Sequence, residues 1–289
     1  MSSTENHELI RLLFGGLACM TAATITHPVD TIKIRLQTSP HPQNILTMAY
    51  RIATNEGLKS GLYKGITASW LREGVYSSLR LGLYEPFKGM LGETDPKHTP
   101  MWIRFAAGSM SGFVGSVAGN PADLIKVRMQ AWQGQPQSIL WHSKSVYQQF
   151  GMVGFYNGLQ ANVLRAMILT ASQLGTYDQI KHTLLNLGIV KDGPMCHFMS
   201  SMCAGIVMAL ATSPVDIIKT RLMNQSKSSA DGTCQYNGML DCARKIRQSE
   251  GLRGFYRGFT AQWVRMGPFT IIQLMVWERL RKWYGIKGI

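Results

Sequence analysis

The octapeptide Pro28-Val-Asp-Thr-Ile-Lys-Ile-Arg35 returns as Pro121-Ala-Asp-Leu-Ile-Lys-Val-Arg128 and as Pro214-Val-Asp-Ile-Ile-Lys-Thr-Arg221, at intervals of 93 and 93 residues. Two further blocks keep step with it. Glu56-Gly57 through Tyr63-Lys64-Gly65 returns as Gly151 through Tyr156-Asn157-Gly158 and as Glu250-Gly251 through Tyr256-Arg257-Gly258. Tyr84-Glu85 with Lys88 returns as Tyr177-Asp178 with Lys181 and as Trp277-Glu278 with Arg281, at intervals of 93 and 100. The extra residues of the third copy fall in the Ser/Gly-rich stretch 226–233, where insertion is tolerated. Three ordered blocks, each present three times, divide the chain into repeats 1–95, 96–190 and 191–289.

Each repeat opens on a charge-free stretch that ends at its Pro-x-Asp: residues 12–29, 105–122 and 193–215, or 18, 18 and 23 residues. Those lengths approach or exceed the roughly 18 residues of a spanning helix. Small residues recur in them at four-residue spacing (Gly108, Gly112; Gly115, Gly119; Ser201, Gly205, Ala209), which lets helix backbones approach closely. A second long helix is expected over 66–90, 159–185 and 259–283, after a short amphipathic helix over 45–54, 143–150 and 239–249. The expected fold is an all-α membrane protein. Six transmembrane helices form three pseudosymmetric hairpins around a central cavity, with three short helices at one end and both termini on one side.

Composition fits this reading once the repeats are known. A mean hydropathy of −0.02 is what remains when spans are averaged with polar segments and a hydrophilic cavity. The 30 Lys+Arg against 16 Asp+Glu leave +14, which by itself would suit a nucleic-acid binder. The basic residues instead recur at equivalent points of the repeats, with the longest charge-free stretches between them. Five cysteines show no CxxC and no metal-like pairing with histidine, and P-loop, GxSxG and HExxH motifs are absent. No metal, no cofactor and no enzymatic activity are therefore expected. Residues 1–7 show neither a secretory nor an Arg-rich transit pattern, so targeting information is expected within the chain.

The ionisable residues in the long helices fall into three sets. Pro28, Pro121 and Pro214 remove a backbone hydrogen bond and are expected to bend their helices so that these converge. Just past them, Asp30/Lys33, Asp123/Lys126 and Asp216/Lys219 lie three residues apart on one helical face. In a threefold bundle each acid can meet the next repeat's base, closing a ring of weak ion pairs suited to a gate. Glu85/Lys88, Asp178/Lys181 and Glu278/Arg281 repeat the arrangement at the opposite end, as alternating access requires.

Thirteen residues before the acid of each even helix stands an arginine: Arg72, Arg165 and Arg265. At 1.5 Å per residue these lie about 20 Å from that ring, near mid-membrane. Arg80, two turns from Arg72, can face the same cavity. An ionisable group at such a depth is costly and usually functional. Converging guanidiniums bind carboxylates through a bidentate fork, so they call for an anionic solute with two carboxylates. Glu73 either neutralises Arg72 or pairs with another helix.

The tripled Pro-x-Asp-x-x-Lys-x-Arg block, with its companion Glu-Gly and aromatic-acid blocks, resembles the mitochondrial carrier family over essentially the whole chain. The resemblance implies a threefold bundle in the mitochondrial inner membrane that exchanges a solute between cytosol and matrix, functional as a monomer and in contact with lipid, with cardiolipin as the candidate. It also implies that the ring at Asp30, Asp123 and Asp216 faces the matrix, braced by Gln37 and Gln130, whose counterpart in repeat three is Met223. In the family pattern a glutamate engages the signature arginine. Phe150 replaces it in repeat two, so Arg128 is expected to lack that partner, and Asn157 replaces the base seen as Lys64 and Arg257. Arg72, Arg80, Arg165 and Arg265, with Leu169-Thr-Ala-Ser-Gln173 and Gly267-Pro-Phe-Thr270, look like the dicarboxylate, 2-oxoglutarate and uncoupling branch. Ala166 after Arg165 matches neither the nucleotide-carrier nor the oxo-acid-carrier pattern. The implied activity is antiport of small dicarboxylates (malate, succinate, 2-oxoglutarate, oxaloacetate). The alternative is proton or fatty-acid-dependent uncoupling.

Overall fold

The computed structural model describes residues 3–39, 43–92, 99–186, 194–227 and 234–283. Within them the chain is helical, with α1 (Ser3–Thr38), α2 (Ile45–Glu56), α3 (Leu58–Leu62), α4 (Ile66–Met90), α5 (Met101–Ala131) and α6 (Ile139–Phe150). After a 3-10 turn at Met152–Tyr156 follow α7 (Leu159–Asn186), α8 (Pro194–Asn224), α9 (Met239–Gly254) and α10 (Phe259–Trp283). Among the described residues the only β-pairing is a bridge between Lys227 and Cys234. The long helices pack in chain order, α1 on α4, α4 on α5, α5 on α7, α7 on α8 and α8 on α10, and α10 returns to α1. That closes a six-membered ring of helices with a central axis.

The second long helices begin where the pattern places them, and α7 runs one residue beyond the expected end, to Asn186. The short helices are longer than their hydrophobic faces suggested, because Glu56 and the Ile139–Trp141 turn continue the coil. α1, α5 and α8 run unbroken through Pro28, Pro121 and Pro214. Side-chain hydroxyls near these prolines bond to carbonyls four residues back, Thr26 to Ala22 at 2.9 Å and Ser213 to Ala209 at 2.7 Å.

Among the described residues, one segment, Cys203–Asn224, is long and apolar enough to cross a membrane by composition alone. α5 falls short because glycine and serine fill its interface, and that interface accounts for the four-residue spacing. A side chain at Gly108 would meet Thr170 and one at Gly112 would meet Ala166, both on α7. On the other face, Gly115 and Gly119 lie against Tyr76 of α4. α5 thus touches both neighbours at near-backbone distance, a packing that larger side chains would forbid.

The best-packed region lies at the end that carries the short helices. Three equivalent apolar clusters gather there, each crossing a repeat boundary. Met48 and Ile52 of α2 bury with Ile32, Leu36 and Ala261; Val146 of α6 buries with Leu124, Val127 and Ala68; Cys242 and Ile246 of α9 bury with Ile217, Leu222 and Ala161. Truncating a fully buried residue such as Ile52 or Ile246 would cost about 2–5 kcal/mol. Each even helix starts beside its cluster at a glycine with positive φ: Gly65 (76°), Gly158 (80°) and Gly258 (75°). A Cβ at those points would crowd Met129, Met223 and Gln37 of the adjacent odd helix. Glycine is required there both for its backbone angle and for the close approach.

Candidate functional site

α1, α5 and α8 bring Asp30, Lys33, Asp123, Lys126, Asp216 and Lys219 to one level on the axis, and all six are buried. Lys126 donates to Asp30 at 2.9 Å, Lys219 pairs with Asp123 at 2.5 Å and Lys33 donates to Asp216 at 2.9 Å. Every acid meets the base of the following repeat, and the circle closes.

The arginines of the even helices join the same ring. Arg265 donates to Asp30 at 2.6 Å, Arg165 donates to Asp216, and Arg72 stands 3.6 Å from Asp123 while pairing with its neighbour Glu73. Each aspartate is therefore shared by a lysine from one neighbouring repeat and an arginine from the other. Distance along the even helices from their far acids does not reveal this sharing. Counted from the near ends, each arginine is six residues into its helix and each aspartate eight residues from the end of its own. At 1.5 Å per residue those are depths of about 9 and 12 Å, the same layer. Arg72 also lies over the Tyr76 ring at 5.0 Å, and Arg265 over Phe269 at 5.4 Å. A cavity of about 50 Å³ remains between the six cations and three acids. Arg80 is half-buried and forms no ion pair among the described residues.

Gln37 and Gln130 are buried one turn beyond the ring. Gln37 accepts from Thr220 at 2.9 Å and Gln130 donates to Thr31 at 3.3 Å, so each bonds to a threonine of another repeat rather than to a ring lysine. Met223, their counterpart, is fully buried in an apolar cluster. Ala166 packs on Gly112 of α5.

A second girdle lies at the short-helix end, and its details were not legible in the sequence. Arg35 donates to the carbonyls of Gln130 (3.0 Å) and Trp132 (2.9 Å). Arg128 donates to those of Met223 (3.0 Å) and Gln225 (2.5 Å), and Arg221 to that of Gln37 (3.4 Å). Each signature arginine thus caps the next repeat's odd helix, whose last carbonyls have no partner within the helix. Glu56 clamps Arg35 and Lys64, and Glu250 clamps Arg221 (2.7 Å) and Arg257 (3.0 Å). Repeat two lacks this clamp. Phe150 presents its ring to Arg128 (5.5 Å) and to Lys227 (5.4 Å), and the Asn157 amide nitrogen is buried without a partner among the described residues. His27 is wholly buried, donating from Nε2 to the Lys64 carbonyl at 2.8 Å and stacking on Tyr63. It is a packing residue at the turn into α4.

At the opposite end, Lys88 pairs with Glu85 on its own helix at 3.1 Å and lies over Tyr84 at 5.3 Å, and the Glu278 side chain is exposed. The side chains of Asp178, Lys181 and Arg281 lie outside the described residues.

Comparison with known proteins decides what this threefold architecture is. The family model described as "Mitochondrial carrier protein" matches three times in succession, over residues 5–95, 97–188 and 190–288. The chain belongs to the mitochondrial carrier family. It is similar, at 41% identity over 97% of each chain, to the mitochondrial substrate carrier family protein ucpB of Dictyostelium discoideum. A probable mitochondrial 2-oxoglutarate/malate carrier protein of the same organism is 37% identical, over 96% of this chain and 90% of its own. Mitochondrial uncoupling protein 5 of Arabidopsis thaliana is 34% identical, over 93% of this chain and 95% of its own. Mitochondrial carriers are transporters and not enzymes, and this one is a multi-pass protein of the mitochondrial inner membrane.

Proposed function

We propose that this carrier exchanges small dicarboxylates (malate, succinate, 2-oxoglutarate or oxaloacetate) across the inner membrane by alternating access, with α1, α4, α5, α7, α8 and α10 as its six spans. The observation that carries the reading is the placement of Arg72, Arg165 and Arg265 within ion-pairing distance of the aspartates of a closed ring. A dicarboxylate entering from the opposite end meets arginines already held by carboxylates and competes for them. It substitutes its own oxygens for those of Asp30, Asp123 and Asp216. Solute binding and ring rearrangement then share the same guanidiniums, and each can drive the other. In this reading the ring is the matrix gate, with Gln37 and Gln130 holding the layer beneath it. Glu85, Lys88, Asp178, Lys181, Glu278 and Arg281 form the cytoplasmic gate, Pro28, Pro121 and Pro214 let the odd helices converge, and Arg80 is an entry cation.

A recess of about 370 Å³ supports a lipid contact on the matrix side. Lys59, Lys64 and the first turn of α4 line it together with Trp132 and His142 of the next repeat. Helix N-termini and lysines attract phosphate, so an anionic headgroup, cardiolipin as the candidate, fits there. A cavity enclosed by one chain works as a monomer.

Liposome reconstitution tests the reading. Labelled malate should enter only against an internal dicarboxylate, and Arg165→Ala should slow the exchange severely; absence of exchange across a panel of di- and tricarboxylates would refute it. A second reading, proton or fatty-acid-dependent uncoupling, is favoured by relatives such as the Arabidopsis thaliana protein named for that activity. Proton flux without a counter-solute would select it.

A further inference from the structure

Six cations and three aspartates line the cavity at the ring, an excess of three positive charges. Glu73 changes that count. Its side chain is buried, pairs with the Arg72 guanidinium and accepts from Ser77 at 3.5 Å. The equivalent positions after Arg165 and Arg265 are Ala166 and Met266, so no other repeat carries an acid there. The effect on the ring is visible. Arg165 and Arg265 hydrogen-bond directly to Asp216 and Asp30, whereas Arg72 stands 3.6 Å from Asp123. Glu73 draws one arginine of three aside and offsets one charge, leaving the layer at six positive against four negative. Arg80, eight residues along α4 and so about 12 Å further from the ring, does not line this cavity.

A solute held in a buried site binds best when its charge matches the excess, because an uncompensated buried charge is costly. We propose that Glu73 is a specificity-determining residue that sets the favoured solute at two negative charges. Without it the layer holds six positive charges against three negative, an excess of three that matches a trianion. The proposal rests on the dicarboxylate reading above and adds to it the element that selects for charge.

The test uses the full chain in liposomes at pH about 7.5, where malate is a dianion and citrate predominantly a trianion. Initial uptake rates of labelled malate and citrate are compared for the wild type, Glu73→Gln and Glu73→Asp. Gln keeps the size and polarity of the side chain and removes its charge; Asp keeps the charge. The citrate-to-malate ratio should rise at least about tenfold in Glu73→Gln, since a unit charge a few ångströms away at an effective dielectric of about 20 exceeds that factor. Glu73→Asp should keep the wild-type ratio. Should a variant bind but not turn over, the thermal stabilisation produced by each acid in detergent gives the same ratio. An unchanged ratio in Glu73→Gln, or an equal shift in Glu73→Asp, overturns the proposal while leaving dicarboxylate exchange intact. A wild type that takes up neither acid overturns the functional reading itself, and this inference with it.

Discussion

Arg165 of the second repeat and Asp216 of the third form an ion pair at the same carboxylate that receives Lys33 of the first, so one side chain joins all three repeats. The same is true of Asp30 with Lys126 and Arg265, and of Asp123 with Lys219 and Arg72. A ring built this way couples the three repeats through each aspartate, and it can be reset by anything that takes the arginines.

Arg165→Ala should therefore act on transport far more than on folding. Asp216 keeps Lys33 as its partner, so the melting temperature should stay within a few degrees of wild type. Loss of a charged hydrogen bond to the solute, about 1.5–3 kcal/mol, predicts exchange roughly 10- to 150-fold slower. Arg165→Lys should retain part of the rate, because it keeps the charge and loses the fork.

Asp216→Asn should be the more damaging change for stability. It leaves Lys33 and Arg165 buried without a counter-charge, a loss of roughly 3–5 kcal/mol that thermal unfolding in detergent would register. Reversing the pair, Lys33→Asp with Asp216→Lys, should be more stable than either single change. It should fall short of wild type because Arg165 then faces a lysine. A double-mutant cycle measures the coupling.

Phe150→Glu should stabilise the protein. Two cation–π contacts, about 0.5–1 kcal/mol each at exposed sites, would give way to a carboxylate between Arg128 and Lys227. Charged hydrogen bonds are worth about 1.5–3 kcal/mol, so a gain of roughly 1 kcal/mol is expected. The added clamp should slow exchange while raising the melting temperature. Phe150→Leu, which removes both contacts and adds nothing, should lower it.

His142 supplies a pH dependence. Burial pushes its imidazole down to about 4 from the ordinary 6.5, and the charges of Arg128 and Lys64 act in the same direction. It packs edge-on against Trp141 and Trp132 as a neutral ring. A depressed folded value means that its stabilising contribution is complete above pH 6.5 and lost as pH falls towards 4. The wild type should therefore lose melting temperature between pH 6.5 and 4 beyond what His142→Phe loses over the same range.

Much of the architecture was already written in the repeats. Spacing alone fixes which residues are equivalent, hence that the three Asp/Lys pairs share a level and that the ring runs in one direction around the axis. Helix periodicity locates α4, α7 and α10 almost to the residue, and the substitutions Phe150 and Asn157 mark repeat two as the one without an acidic clamp. These follow from the sequence because the physics is local: rise per residue, charge spacing, and threefold recurrence of the same hairpin.

Relationships between helices were decided only in three dimensions. Counting back from the far acids puts Arg72, Arg165 and Arg265 about 20 Å from that end, near mid-membrane, but antiparallel packing of odd and even helices sets them against Asp123, Asp216 and Asp30. Sequence places Gln37 and Gln130 beside the ring, yet their depth in the bundle gives them Thr220 and Thr31 instead. The capping of each odd helix by another repeat's arginine is likewise invisible along the chain, because its acceptors are backbone carbonyls, which every residue carries. Glu73 is the clearest instance. The sequence shows an acid beside an arginine; only the tertiary fold, by lining one buried cavity with all three repeats, turns that acid into a count of charge.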